Sequence, residues 1–268
     1  ENAIHSYHKL DYKVRYDKHM RVKFSVPRLD VIGLLEEELG KIPKQEDTTN
    51  EESVYLEVGP GDGKAADILS TNFTKKILYE PNGIYKNNLE KKGYIVRQGV
   101  FQDYLSTFDT KFDLIVLSHV LYYFKPEMIK ELISTLCKNK KNKNSKIAII
   151  IGPFELAENK EILEIAAKEF GWDESQINKR IDQELVKDIL RELQIDYKVV
   201  EMAYHTSVNS KQELFDLLFF TMVEVYLFHL YGSLSEEKLE KFNKIAESVY
   251  DKNEFPVIRR GSDALFII

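Results

Sequence analysis

The residues with the clearest chemical potential are three glycines that follow an apolar segment. In VYLEVGPGDGKAAD, Gly59, Gly61 and Gly63 come directly after VYLEV at residues 54–58, and a helix-like segment begins at Lys64. Glycines at a strand-to-helix junction let the backbone approach a ligand closely and expose the N–H groups of the helix. This arrangement predicts a binding loop for a nucleotide or a nucleotide-like cofactor.

Two common phosphate-binding patterns do not fit this loop. A Walker loop needs a glycine five residues before Gly-Lys and a hydroxyl residue after it, but Val58 and Ala65 stand there. The dinucleotide pattern G-x-G-x-x-G needs a glycine where Lys64 stands. The pattern that fits is acidic-x-G-x-G-x-G, with Glu57 as the acidic residue.

This pattern resembles motif I of the class I methyltransferases that use S-adenosylmethionine. The resemblance implies a Rossmann-like fold, this cofactor, and cofactor contacts from Glu57, Gly59, Gly61 and Gly63. S-adenosylmethionine has no pyrophosphate and carries a positive amino group and a sulfonium, so acidic neighbours such as Glu57 and Asp62 suit it.

A second carboxylate stands at the end of the next predicted strand. The sequence KILYEPN places Glu80 at that strand end, 17 residues after Gly63, and Pro81 follows it. A carboxylate in this position can accept hydrogen bonds from both ribose hydroxyls. We therefore expect Glu80 and Pro81 to contribute to the cofactor site.

Polar and aromatic side chains follow the third and fourth predicted strands. The methyltransferase resemblance implies that this region flanks the adenine, so that Phe101 would cover the ring and Gln102 or Asp103 would bond its edge; the alternative is that these residues only begin a helix. In FDLIVLSHVLYYF, which resembles motif IV, Ser118 falls where cofactor contacts lie, and the residues after it face the transferred methyl group.

The stretch LSHVLYYFK is most similar to the histamine N-methyltransferase branch, which has a polar residue followed by M-L-Y-Y-V-K here. The resemblance implies that His119 contacts the methyl acceptor and that Tyr122 and Tyr123 line its pocket. Ser262 or Asp263 falls near a further substrate-binding position of that family. A structural alternative for His119 is a satisfied core histidine.

Strand-like and helix-like segments alternate from residue 54 onwards, which is typical of a mostly parallel sheet with crossover helices. We expect an α/β, Rossmann-like, doubly wound sheet of seven strands. An N-terminal helical segment at residues 1–45 would serve as a lid. The methyltransferase domain would span residues 50–268, with a helical insertion at about 206–252 before the last strand.

The predicted strands are 54–58, 76–80, 94–98, 112–118, 146–152, 197–203 and 264–268, and the predicted helices lie near 64–72, 82–92, 126–138, 156–170, 182–194, 210–231 and 234–250.

The composition limits which classes of binding partner and which cellular compartment fit this sequence. The 268 residues carry 38 Lys plus Arg against 44 Asp plus Glu, a net charge of −6, which does not suggest a nucleic-acid binder. A single cysteine, Cys137, favours a reducing compartment. The apolar stretch 214–231 is interrupted by Asp216, Glu224 and His229, so a buried helix or lid fits better than a membrane span. We expect a cytoplasmic protein with no membrane partner.

The leading hypothesis is methyl transfer from S-adenosylmethionine to a nitrogen, oxygen or sulfur of a small molecule. The alternatives are a methyltransferase acting on a protein or RNA, and a non-catalytic module that binds S-adenosylmethionine. No metal is expected, because His5 and His8 have too few further ligands nearby for a zinc site. The sequence leaves the acceptor and the oligomeric state open.

Overall fold

A computed structural model describes residues 52–152, 157–173, 181–220 and 235–268, together with Gly33 and Glu37. Gly33 and Glu37 are helical and fall in the predicted N-terminal helix. The rest of the expected lid at residues 1–45 lies outside the described residues. The expected domain boundary after it therefore stays a prediction.

The described chain alternates strands and helices. The strands are β1 Val54–Val58, β2 Lys75–Glu80, β3 Ile95–Gln98, β4 Leu114–Ser118, β5 Lys146–Ile151, β6 Lys198–Val208 and β7 Val257–Ile267. The α-helices are α1 Lys64–Leu69, α2 Gly83–Lys91, α3 Pro126–Lys138, α4 Ala157–Phe170, α5 Gln183–Glu192, α6 Lys211–Phe220 and α7 Glu236–Tyr250. Two short 3-10 helices, Phe101–Thr107 and Leu121–Tyr123, follow β3 and β4.

The strands form one seven-stranded sheet in the order β3-β2-β1-β4-β5-β7-β6. β1 pairs in parallel with β2 and β4, β2 with β3, and β4 with β5, whereas β7 runs antiparallel to β5. Parallel neighbours need long crossovers, which the helices supply. The predicted doubly wound, mostly parallel sheet is confirmed, and it brings the carboxyl ends of β1, β2, β4 and β5 to the same edge.

The central strands and the helices beside them form the core. All of β1 is buried, as are the last four residues of β2, the first four of β4 and all of β5 after Lys146. Such continuous burial is expected of a parallel sheet with both faces covered. In α3 the buried residues recur at helical spacing, at Ile129, Leu132, Ile133 and Leu136.

The chain divides into two compact units. One contains residues 52–151, 183–202 and 263–268, and with them every residue of the candidate site described below. The other contains the described residues within 152–182 and 203–262. Its own core comes from α4, α6 and α7, where Leu163, Leu214, Phe242 and Tyr250 are buried. The predicted insertion at about 206–252 falls inside this second unit.

Some element bounds differ from the prediction for identifiable reasons. The predicted strand 112–118 begins only at Leu114; Asp113 lies in a bend before it, where its carboxylate accepts a hydrogen bond from the Val54 amide at 2.8 Å. β6 and β7 are longer than predicted. The polar residues in AYHTSV and VIRRGSD interrupt the apolar pattern from which a strand is predicted.

The apolar stretch at residues 214–231 begins in helix α6, which ends at Phe220. Its residues 221–231 lie outside the described part of the chain. Within the described ranges, no helix has both the length and the apolar character needed to cross a bilayer.

Candidate active site

The glycine loop owes its shape to backbone angles that favour glycine. Gly59, Gly61 and Gly63 have φ values of 68°, 58° and 80°, in the left-handed region that other residues avoid. The Gly59 amide donates to the Tyr79 carbonyl at 2.9 Å, and the Gly63 amide donates to the Pro60 carbonyl at 3.0 Å. The loop therefore turns tightly from β1 into α1 while it stays tied to the end of β2.

Two of the glycines also lack space for a side chain. A Cβ on Gly59 would lie 2.9 Å from Val120 Cγ2, closer than real Cβ atoms come to other heavy atoms. A Cβ on Gly63 would overlap Cδ2 of Leu89, which is buried in α2. The sequence pattern thus reflects close packing of the loop against α2 and against the turn after β4.

Glu80 ties the loop to the end of β2. Its side chain is only 4% exposed. One carboxylate oxygen accepts from the Gly61 amide at 3.1 Å, and the other accepts from the Asn82 amide at 2.8 Å. Burial raises the pKa of Glu80 to about 7, although the two backbone hydrogen bonds act in the opposite direction.

Asn82, two residues beyond Glu80, was not among the predicted site residues. Its side-chain oxygen accepts from the amides of Ile84 and Tyr85, which caps the first turn of α2. The signal was in the sequence, because Asn before a helix is a preferred N-cap. Asn82 therefore positions α2, whose Leu89 closes the glycine loop from the side.

Glu57 lies in the core beside β1. Its carboxylate accepts a 2.7 Å hydrogen bond from the hydroxyl of Tyr55, two residues earlier on the same face of the strand. The side chain is 2% exposed, and burial raises its pKa to about 7, although the Tyr55 hydrogen bond lowers it. The structure thus gives Glu57 a partner inside the fold, and its expected contact with the cofactor stays a prediction.

The residues expected near adenine lie on the 3-10 helix after β3 and beside β2. Phe101 is buried, and its ring packs edge-on against Tyr79 at a centroid distance of 4.7 Å. Gln102 is half-buried and donates from its side chain to the Tyr123 carbonyl at 2.7 Å. Pro81 is also half-buried. The Gln102 contact couples the turn after β3 to the turn after β4.

His119 follows Ser118 at the carboxyl end of β4. Its amide donates to the Ile150 carbonyl of β5 at 2.9 Å, and its φ of 53° is in the left-handed region. Its Nε2 lies 3.3 Å from Oδ2 of Asp263, which is 0% exposed. The rings of His119 and Tyr122 are stacked, with centroids 6.4 Å apart and planes 21° apart.

The site residues predicted from the sequence therefore gather at one edge of the sheet. The glycine loop, Glu80, Ser118 and His119 all lie at the carboxyl ends of β1, β2 and β4. This is the edge where open α/β sheets bind ligands. The sequence placed Asp263 near a substrate position but did not reveal its contact with His119.

The polar groups at this edge of the sheet fit S-adenosylmethionine. An ionised carboxylate has about four lone-pair sites, and Glu80 uses one on each oxygen for the Gly61 and Asn82 amides. The remaining sites suit two ribose hydroxyls. The positive φ angles of its three glycines let the loop present backbone, without side chains, to the amino-acid portion of the cofactor.

Comparisons with known proteins agree with this fold. Residues 31–149 match the model of a family described as a methyltransferase domain. A SAM-dependent methyltransferase from Archaeoglobus fulgidus is similar, with a TM-score of 0.50 and 19% identity over 92% of this chain and 97% of that one. The YcgJ protein from Bacillus subtilis has a TM-score of 0.52 and 10% identity, over 88% and 96% of the two chains. No curated protein matches the sequence.

The strand order, the glycine loop and the acid at the end of β2 define a class I methyltransferase fold. The family match spans the glycine loop, Glu80 and His119. Residues 31–149 therefore carry a methyltransferase domain, and the fold around it is that of the enzymes that use S-adenosylmethionine.

Proposed function

We propose that this methyltransferase modifies a nitrogen, oxygen or sulfur atom of a small molecule held in an aromatic pocket. The observation that carries the proposal is the grouping of His119, Tyr122 and Tyr123 at the carboxyl end of β4, directly after Ser118. All three side chains are half-buried. Small-molecule sites combine such aromatic walls with a few placed polar groups.

In this proposal the cofactor is held by the glycine loop and by residues at the ends of the strands beside it. Glu80 accepts the ribose hydroxyls, the Gly59–Gly63 backbone follows the amino-acid portion, and Ser118 adds a polar contact. Pro81, Phe101 and Gln102 shape the adenine side. When bound, S-adenosylmethionine supplies a methyl carbon activated by its sulfonium.

The resemblance of LSHVLYYFK to the histamine N-methyltransferase branch supports a small acceptor. In this proposal His119 contacts the acceptor and either orients it or removes its proton, a task for which histidine is suited near neutral pH. Tyr122 and Tyr123 hold the apolar part of the acceptor. The N-terminal segment 1–45 is proposed, on its sequence alone, to cover the pocket.

The test is a transfer assay with isotope-labelled S-adenosylmethionine against panels of amines, phenols and thiols. We expect turnover with at least one panel. On that acceptor, His119→Ala should lower turnover about 10²–10⁴-fold, the usual range for a general base. Affinity for S-adenosylmethionine should hardly change, because Glu80 and the glycine loop remain intact.

His119→Asn is the matched variant, because asparagine tolerates a left-handed backbone and keeps a hydrogen bond. An amide takes no proton at neutral pH, so His119→Asn should lose turnover if His119 removes a proton and keep most of it if His119 only orients. Near-normal turnover in both folded variants would contradict a role for His119. Transfer only to protein or RNA would contradict a small-molecule acceptor.

A further inference from the structure

A carboxylate and an imidazole meet over the carboxyl end of β5. β5 lies between β4 and β7 in the sheet, and the first β5–β7 pair at this edge joins Ile151 to Ala264. His119 follows β4 on one side of β5, and Asp263 precedes Ala264 on the other. Two strand spacings of about 4.8 Å separate their backbones, and the two side chains close that distance to 3.3 Å.

The two partners differ sharply in their surroundings. Asp263 is 0% exposed, whereas the His119 side chain is 23% exposed. A fully buried carboxylate is costly unless a hydrogen bond or an opposite charge compensates it. His119 is therefore the member of the pair that can meet both the carboxylate and an incoming molecule.

His119 is held in place by three further features. Its amide is bound to the Ile150 carbonyl, its ring stacks on Tyr122, and its φ of 53° is unusual for a residue with a side chain. Sparsely populated backbone angles cost about 1–3 kcal/mol and persist where the surroundings enforce them. Two titratable side chains face the imidazole from the elements packed beside it: Asp263 of β7 and Tyr122 of the 3-10 helix.

We propose that Asp263 is a positioning residue that fixes His119 as the tautomer with its proton on Nε2. The Nε2 atom faces Asp263 Oδ2, so the neutral imidazole donates this proton to the carboxylate and leaves the lone pair on Nδ1. Nδ1 is then the atom that takes a proton from the acceptor. This inference rests on the function proposed above for the same site.

The arrangement selects a class of acceptor, one whose reacting atom carries a proton: a hydroxyl, an N–H group or a thiol. As the acceptor lone pair forms its bond to the methyl carbon, the carbon–sulfur bond breaks with its electron pair left on sulfur. The acceptor proton passes to Nδ1, and the positive charge moves from the sulfonium to the imidazolium. The Asp263 carboxylate lies 3.3 Å from Nε2, where it can balance that charge. A carboxylate or thioether acceptor has no proton to give and would not need this pair.

The test is NMR of the protein labelled with ¹⁵N-histidine, because long-range ¹H–¹⁵N correlations identify the tautomer of each imidazole without any acceptor. The His119 signal is assigned by its loss in His119→Gln. We expect wild-type His119 to be the Nε2–H tautomer above its titration midpoint. In Asp263→Asn that midpoint should fall by about 1 pH unit, because an ionised carboxylate in contact favours the imidazolium.

Asp188→Asn is the control, because it removes an exposed carboxylate that pairs with Arg191 on α5. It should leave the His119 signals as in wild type. An Nδ1–H tautomer in the wild type would overturn the proposal even if Asp263→Asn fails to fold. An unchanged midpoint in folded Asp263→Asn would overturn it as well.

Calorimetry of S-adenosylmethionine binding in the same samples distinguishes a failure of the role proposed for Asp263 from a failure of the proposed function. Normal binding with the wrong tautomer would refute the role of Asp263 alone. Absence of binding by the wild type would instead refute the function on which this role rests.

Discussion

At the scale of single residues, two buried carboxylates dominate the region around the glycine loop. Glu57 and Glu80 are 2% and 4% exposed, and burial raises the pKa of each to about 7. In the unfolded chain a glutamate titrates near 4.3. Between these values the folded protein binds more protons than the unfolded chain, so stability declines as pH rises through this window.

Replacing Glu57 by glutamine should remove part of this decline. The amide is nearly isosteric, its oxygen can still accept from the Tyr55 hydroxyl, and it does not titrate. Wild type should therefore lose about 3 kcal/mol more than Glu57→Gln between pH 5 and pH 8, since one pKa unit corresponds to about 1.4 kcal/mol. Urea unfolding at the two pH values, without cofactor, measures the difference.

Glu90→Gln, which removes an exposed carboxylate on α2, is the matched control and should keep the wild-type pH dependence. The raised pKa of Glu80 also lowers the free energy of unfolding as pH rises, so Glu57→Gln should retain some pH dependence. A pH dependence of Glu57→Gln identical to that of wild type would refute the assignment of this decline to Glu57.

At the scale of elements, the glycine loop depends on how α1 and α2 pack. Gly63 combines a φ of 80° with a Cβ position that would overlap Leu89 of α2. Gly93, just beyond α2, has a φ of 90° and no heavy atom within 4 Å of that position. Alanine at Gly93 therefore measures the free-energy cost of the left-handed backbone angle alone, and alanine at Gly63 measures that cost together with the clash against Leu89.

We expect Gly93→Ala to lose about 1 kcal/mol of unfolding free energy, the cost of a left-handed alanine. Gly63→Ala should lose about 1–3 kcal/mol more, because the added methyl overpacks the contact with Leu89. Only Gly63→Ala should also weaken cofactor binding. Urea unfolding of both variants checks this comparison, and equal losses would show that Leu89 does not constrain the loop.

The elements also show what could be predicted from the sequence. The bounds of α3 agree with the prediction because Pro126 begins an amphipathic pattern that ends at Lys138. β5 was recognisable as an apolar run after Lys146, and β1 as an apolar segment interrupted only by Glu57. β6 and β7 were predicted too short, since the polar residues in AYHTSV and VIRRGSD interrupt the apolar runs that predict a strand.

The candidate site was only partly predictable for a related reason. The glycine loop and Glu80 are local patterns that follow predicted strands, so their positions could be derived from the sequence. The contact between His119 and Asp263 depends on the position and direction of β7 in the sheet. Likewise, the pattern E-x-G-x-G-x-G does not reveal that Glu57 bonds to Tyr55 inside the core.

At the scale of the whole molecule, the sheet topology gathers residues from distant parts of the sequence. Parallel strands bring the glycine loop, Glu80 and His119 to one edge, and the antiparallel β7 returns Asp263 to that edge. The net charge of −6 is compatible with a cationic cofactor. The proposed cofactor site therefore depends on one arrangement, in which the glycine loop and Glu80 hold S-adenosylmethionine.

Calorimetric titration of S-adenosylmethionine into wild type and Glu80→Ala at pH 8 tests that arrangement most directly. Wild type should bind, and Glu80→Ala should lose about 2–4 kcal/mol of binding free energy, at least about 30-fold in affinity, with its charge-assisted hydrogen bonds. Glu90→Ala, which removes an exposed carboxylate on α2, should bind as wild type does. Unchanged affinity in a folded Glu80→Ala variant, or no binding by the wild type, would contradict the account.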